Sequence, residues 1–175
     1  VFRSYQVSMA SGLGSNPVGI DRGQLRGTYI LRPKRVGPKV FLMQSNYRYR
    51  ASTENTQERR AVEDSFAPSI LWAFDVLAET EDRVLVDSTD FFKRDARDVV
   101  NQIASRNQGN YSLDELRSTL HLENTDSFEE NVEVEAMLTF QSNNPGALVN
   151  NVAATGKFIT LRQHHSIVKL PDSNF

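Results

Sequence analysis

Val132-Glu133-Val134-Glu135-Ala136-Met137-Leu138-Thr139-Phe140 alternates two sets of side chains with a period of two. Val132, Val134, Ala136, Leu138 and Phe140 form one set, and Glu133, Glu135, Met137 and Thr139 the other. A strand with one face on a core and one towards water has this pattern, and such strands belong to antiparallel sheets. Downstream, Asn143-Asn144-Pro145-Gly146 is a loop, and Lys157 to Leu170 is again β-rich. Its apolar phase shifts, because Ile159 and Leu161 share one parity whereas Val168 and Leu170 take the other. A β-bulge near His164-His165-Ser166 would account for that slip.

Upstream, Ala96, Val99, Val100, Ile103 and Ala104 recur at three- and four-residue spacing, with Asp95 before them and Asn107-Gln108-Gly109-Asn110 after them. This predicts an amphipathic helix. Ser112-Leu113-Asp114-Glu115 has the form of a capping box, which predicts a short second helix to about Leu120. Ile70, Trp72, Phe74, Val76 and Ala78 alternate with a more mixed set and predict the best core strand. A turn at Glu81-Asp82 and a return strand over Arg83–Asp87 follow it. Earlier still, Thr28–Leu31 and Lys39–Gln44 flank a turn-rich segment in the manner of a hairpin. The polar stretch from Tyr47 to Ser65 is expected to be a surface excursion with a short helix around Gln57–Glu63. Met9 to Gly27 holds five Gly and one Pro and is expected to be an ordered loop. The expected fold class is α+β, a mainly antiparallel β-sheet with one clear amphipathic helix and one or two short helices, as a single β-rich domain over residues 1–175.

Composition restricts function. With 39% hydrophobic and 24% charged residues the chain has the make-up of a folded domain, and 175 residues suffice for a sizeable core. Twenty Lys+Arg against twenty-two Asp+Glu, interleaved in sign, leave no basic footprint for nucleic acid. The longest nearly apolar run, Ser69–Phe74, is far short of the roughly 20 residues of a membrane-spanning helix. With no Cys, disulfides, thiol nucleophiles and Cys-based zinc sites are excluded. H-E-x-x-H, Walker A, G-x-S-x-G and EF-hand patterns are all missing. Gly12, Gly14 and Gly19 hint at a phosphate-binding loop, but Pro17 stands where the dinucleotide fingerprint needs its third Gly. Asp87, Asp90 and Asp95 suit a turn and a helix cap as well as acid–base work. Adjacent His164 and His165 point to opposite faces of a strand and cannot easily share a metal. Phe91-Phe92 and Trp72 with Phe74 offer either an aromatic platform or core filling.

Four motifs carry a resemblance. They are Gly12-Leu13-Gly14-Ser15-Asn16-Pro17-Val18-Gly19-Ile20-Asp21-Arg22-Gly23-Gln24, Asp64-Ser65-Phe66-Ala67-Pro68-Ser69, Val86-Asp87-Ser88-Thr89-Asp90-Phe91, and Arg162-Gln163-His164-His165-Ser166-Ile167-Val168-Lys169-Leu170-Pro171-Asp172. In this order and spacing the chain resembles the large exported bacterial zinc-dependent metalloproteases over nearly its whole length. In that family the matching region is a domain of uncharacterised function before the peptidase module. The module carries an H-E-x-x-H-x-x-G-x-x-H helix, whose three His bind zinc and whose Glu activates water. The resemblance therefore implies no catalytic residue, metal ligand or cofactor in this chain, and zinc in the catalytic module of a longer parent. It implies an extracellular or periplasmic location, and the parent's catalytic module, together with its polypeptide substrate, as partners. The chain opens at Val1 without a signal-like segment and is expected to be a fragment of that parent.

The expected function is a noncatalytic accessory domain that supports or gates the protease module. The alternatives are an independent peptide- or glycan-binding module, with affinity in the loops around Asn16–Gln24 or on an open sheet edge, and a protein that assembles through β edges. Asp21, Arg22, His164 and His165 are the candidate binding residues.

Overall fold

The computed structural model describes residues 2–15, 17–44 and 54–171; Asn16, Tyr47 to Thr53 of the expected surface excursion, and Asp172 lie outside them. The elements are β1 (Arg3–Ser11), β2 (Leu25–Val36), β3 (Lys39–Gln44), α1 (Thr56–Ser65), β4 (Ser69–Glu79), β5 (Val84–Val86), α2 (Thr89–Lys93), α3 (Val99–Ala104), β6 (Ser112–Leu120), β7 (Asp126–Ser127), β8 (Asn131–Gln141), α4 (Ala147–Val152) and β9 (Phe158–Lys169). The fold is mainly antiparallel sheet with four short helices among the described residues. The chain divides into two compact units, and β1, β2 and β9 each contribute residues to both.

The first unit holds Val1–Ser4, Tyr29–Asp87 and Lys169–Phe175, with strand order β5-β4-β3-β2. The expected hairpin is present. Val36 pairs with Lys39 across a two-residue Gly37-Pro38 turn, with Gly37 at φ 55°. The short helix is present as α1, whose N-terminus is capped by the Asn55 side chain accepting from the Gln57 and Glu58 N–H groups. Strand β4 forms as expected but is not a core strand. Phe74 is its one buried residue, while Ile70 is 54% and Leu77 64% exposed. Hydrophobic alternation predicts the strand correctly, but burial needs a covering layer, which a sequence window does not encode.

The second unit holds Tyr5–Thr28 and Ser88–Val168, with strand order β1-β9-β8-β6 and β7 paired to β8. Its core joins Ala136, Leu138 and Phe140 of β8 to Ile159 and Leu161 of β9, with Val99 and Ile103 of α3 and Val149 of α4 packed on them. Burying each such side chain stabilises the unit by roughly 1.5–3 kcal/mol. The β8–β9 register runs unbroken from Asn131↔Val168 to Gln141↔Phe158. The expected bulge at His164-His165-Ser166 is therefore absent. Gln163 and His165 are fully buried and continue the inward phase of Ile159 and Leu161, so the slip lay in the polarity of the side chains and not in the backbone.

One helix expectation is met only over a shorter span, and another is corrected. The apolar series from Ala96 gives only the six-residue α3, which begins after Asp98 adopts a left-handed conformation at φ 59°. The capping-box segment is strand β6: Ser112, Leu113 and Asp114 pair with Gln141, Phe140 and Thr139. Asp114 instead accepts from the Arg117 N–H at 3.2 Å, at the register shift between Asp114 and Thr119. Long-range pairing with β8 overrides a local helix signal here.

The loop is shorter than the expected Met9–Gly27: residues 9–11 end β1, residues 25–27 begin β2, and a loop joins the two strands. Leu13, Val18 and Ile20 are buried in the core, and the Leu13 N–H donates to the Ile20 carbonyl at 2.8 Å. A Cβ on Gly12 would lie 2.1 Å from that same Ile20 oxygen. Gly19 has φ +72°, and a Cβ there would come within 2.9 Å of the Arg106 guanidinium. Gly12→Ala is expected to destabilise the protein by about 1–3 kcal/mol, since backbone must shift to admit the methyl group. Urea denaturation of the variant against the wild type checks this.

Candidate functional site

Strand β9 displays its two histidines on opposite faces. His165, inward and fully buried, stacks on the Tyr5 ring at 6.0 Å between centroids and meets Phe92 edge-on at 5.2 Å. Its Nδ1 lies 2.8 Å from the Tyr5 oxygen, and that oxygen accepts from the Arg94 guanidinium at 3.2 Å. The Tyr5 proton is thereby directed to Nδ1, which acts as the acceptor of a neutral imidazole. Nε2 is buried without an acceptor in hydrogen-bonding geometry. Burial first, then the Arg94 and His164 charges, push the His165 pKa down to about 3, and the neighbouring Phe92 carbonyl offsets this only in part. Such a ring stays uncharged at neutral pH.

Gln163, two residues away on the same face, holds the segment between α2 and α3. Its Oε1 accepts from the Arg97 N–H at 2.8 Å and its Nε2 donates to the Arg94 carbonyl at 3.0 Å. Arg94 lies over the Phe91 ring at 4.0 Å and also donates to the Phe91 carbonyl. Phe91 and Phe92 are buried, so these aromatics fill the core. Asp95 accepts from the Val99 and Val100 N–H groups at 2.8 and 3.0 Å and thus serves the start of α3. Burial raises its pKa against the pull of those two donors.

The other face of β9 carries Arg162, His164 and Ser166 over the carboxylates of β8. His164 Nε2 is 2.9 Å from Glu133 Oε2, and Glu133 Oε1 accepts from Ser166 Oγ and Asn131 Nδ2, both at 2.8 Å. Arg162 is 3.1 Å from the buried Glu135, which also accepts from Asn124 at 2.6 Å. Ser, Glu and His are all present, but the carboxylate sits between the other two. A nucleophilic triad needs the imidazole in the middle to take the hydroxyl proton, so this grouping orients side chains and does not activate Ser166. Among the described residues no three His, Cys, Asp or Glu side chains are placed to hold a metal ion.

The four candidate binding residues are not brought together. Asp21 and Arg22 lie in the loop after β1, where the Asp21 carbonyl accepts from the Gln24 N–H at 3.2 Å and Arg22 is exposed. Among the described residues neither is joined by a hydrogen bond or ion pair to His164 or His165. Tyr5, Arg94, Gln163, Glu133 and Glu135 make the most specific polar contacts, and sequence reading passed over all of them as candidates. Gln163 had one legible signal: it shares the parity of Ile159 and Leu161.

No curated protein and no solved structure matches the chain significantly. A protein family does match, over residues 23–175, which takes in every element from β2 onwards. The chain belongs to this family, whose description is a domain of unknown function, DUF5117.

Proposed function

We propose that this chain is a noncatalytic accessory domain of a large exported zinc-dependent metalloprotease, acting outside the cytoplasm to support or gate the catalytic module that hydrolyses polypeptide substrates. The observation that carries this reading is the use made of the last resemblance motif. Gln163 and His165 are buried and bonded to Arg94, Arg97 and Tyr5, while Arg162, His164 and Ser166 are bonded to Glu135 and Glu133. These are the contacts of a scaffold.

Zinc in the parent would polarise a peptide carbonyl and activate water from its own three-His helix. This chain's residues do not fit that ion. His164 and His165 face opposite sides of β9, and His165 already engages Tyr5. No catalytic step is therefore assigned here.

The test is made on the source polypeptide. Hydrolysis of an unstructured protein substrate is expected to be lost on chelation. Zinc content by elemental analysis is expected to be unchanged in a folded variant with His121→Gln, His164→Gln and His165→Gln. Hydrolysis indifferent to chelators, or zinc lost with these histidines while the fold persists, would overturn the reading.

A further inference from the structure

One face of the β2–β3–β4 sheet is both apolar and basic. Register places Val36, Lys39 and Asp75 in one cross-strand row, Lys34, Phe41 and Ala73 in the next, and Arg32, Met43 and Ile70 in a third, all on one side. The 2.6 Å ion pair between Lys39 and Asp75 agrees with this placement. The buried Leu31 and Phe74 belong to the opposite side. On the open side Val36 and Ile70 are exposed, as are Arg32 and Lys34. Two cations thus flank an apolar stripe, beyond the one that Asp75 neutralises. Exposed Val36 and Ile70, with the half-buried Phe41 and Met43 between them, make this face a candidate interaction surface.

The same chain carries a surface of opposite charge. From Leu122 to Asn131 there are four carboxylates, Glu123, Asp126, Glu129 and Glu130, and no Lys or Arg. Leu122 is 74% and Phe128 58% exposed among them. The segment is held in shape by a 3₁₀ turn at Leu122–Asn124 and by β7 pairing with Val132 and Glu133. An ordered, acidic and apolar projection is the chemical complement of a basic and apolar sheet face.

We infer that the occupant of the basic β2–β3–β4 face is a second copy of this chain, docked through its acidic 122–130 segment. This contact lies between two molecules and is heterologous, since two different surfaces meet. Phe128 and Leu122 would cover the stripe around Ile70 and Phe41, while Glu129 and Glu123 approach Lys34 and Arg32. Carboxylates and cations at an exposed rim make such an association sensitive to salt.

Sedimentation velocity of the 175-residue chain from about 1 to about 200 µM, at roughly 50 and 500 mM salt, tests the proposal. Reversible association that weakens at high salt is expected. Lys34→Glu and Glu129→Lys are exposed substitutions that leave the fold intact, and each is expected to weaken self-association about tenfold or more. Mixing the two variants restores association, because each keeps the surface that the other lacks. A wild-type chain that stays monomeric throughout, or associates indifferently to both reversals, would overturn the inference. A monomeric chain that binds an added acidic, Leu-rich peptide would likewise overturn it, assigning the face to a foreign segment.

Discussion

Replacing Gln163 with Leu lowers the free energy of unfolding by about 2–4 kcal/mol, although the substitution fills a similar space with an apolar side chain. Gln163 is fully buried, so hydrophobic transfer alone would favour Leu. The loss arises from its partners. The Arg97 N–H loses its 2.8 Å acceptor and the Arg94 carbonyl loses its 3.0 Å donor, both where water does not replace them. The Ala96 N–H still donates to that carbonyl, so the larger penalty falls at Arg97. A drop in the urea midpoint at unchanged slope checks this. The expected comparison is Ser166→Ala on the opposite face, where Glu133 retains Asn131 and His164 and the loss stays within about 1 kcal/mol. Equal effects from the two variants would contradict the clamp assigned to Gln163.

Acid destabilises the protein through His165. The folded state holds this ring neutral down to about pH 3, whereas an unfolded chain takes up the proton near its ordinary value of 6.5. Between those values the unfolded state binds more protons than the folded one. The stability from keeping His165 neutral is therefore complete above about pH 6.5 and is lost as pH falls towards 3, at about 1.4 kcal/mol per pH unit and roughly 5 kcal/mol in all. His165→Gln retains an acceptor for Tyr5 and does not titrate. Its stability is expected to fall less steeply over this window than that of the wild type, the difference between the two curves isolating His165 from the carboxylates. Parallel curves from pH 7 to 4 would show that the buried imidazole is not the acid-sensitive group.

These two residues also mark where sequence reading succeeds and where it stops. The period-two alternation of β8 was legible because one face of that strand is apolar along its length, from Val134 to Phe140. The same rule failed on β9, whose inward face turns polar at Gln163 and His165, and the failure read as a bulge. Position on the strand was encoded, but the partners that make a buried Gln or His tolerable lie far away, at Tyr5, Arg94 and Arg97. The Ser-x-x-Glu segment failed in the opposite sense: a helix start was legible at Ser112, but the competing strand β8 is about thirty residues on. The Gly-rich loop gave up its order but not its reason, since Gly12 is required by the Ile20 carbonyl and not by a phosphate. Asp21, Arg22, His164 and His165 were singled out as chemically capable side chains, and capability is local whereas assembly into a site is not.

If the proposed function holds, the catalytic chemistry lies outside these 175 residues. The most direct measurement is the intact mass of the source polypeptide, with its sequence read past Phe175. The expected result is a longer chain carrying an H-E-x-x-H-x-x-G-x-x-H helix downstream. A polypeptide that ends at Phe175, or continues without that helix, would contradict the assignment to a zinc protease.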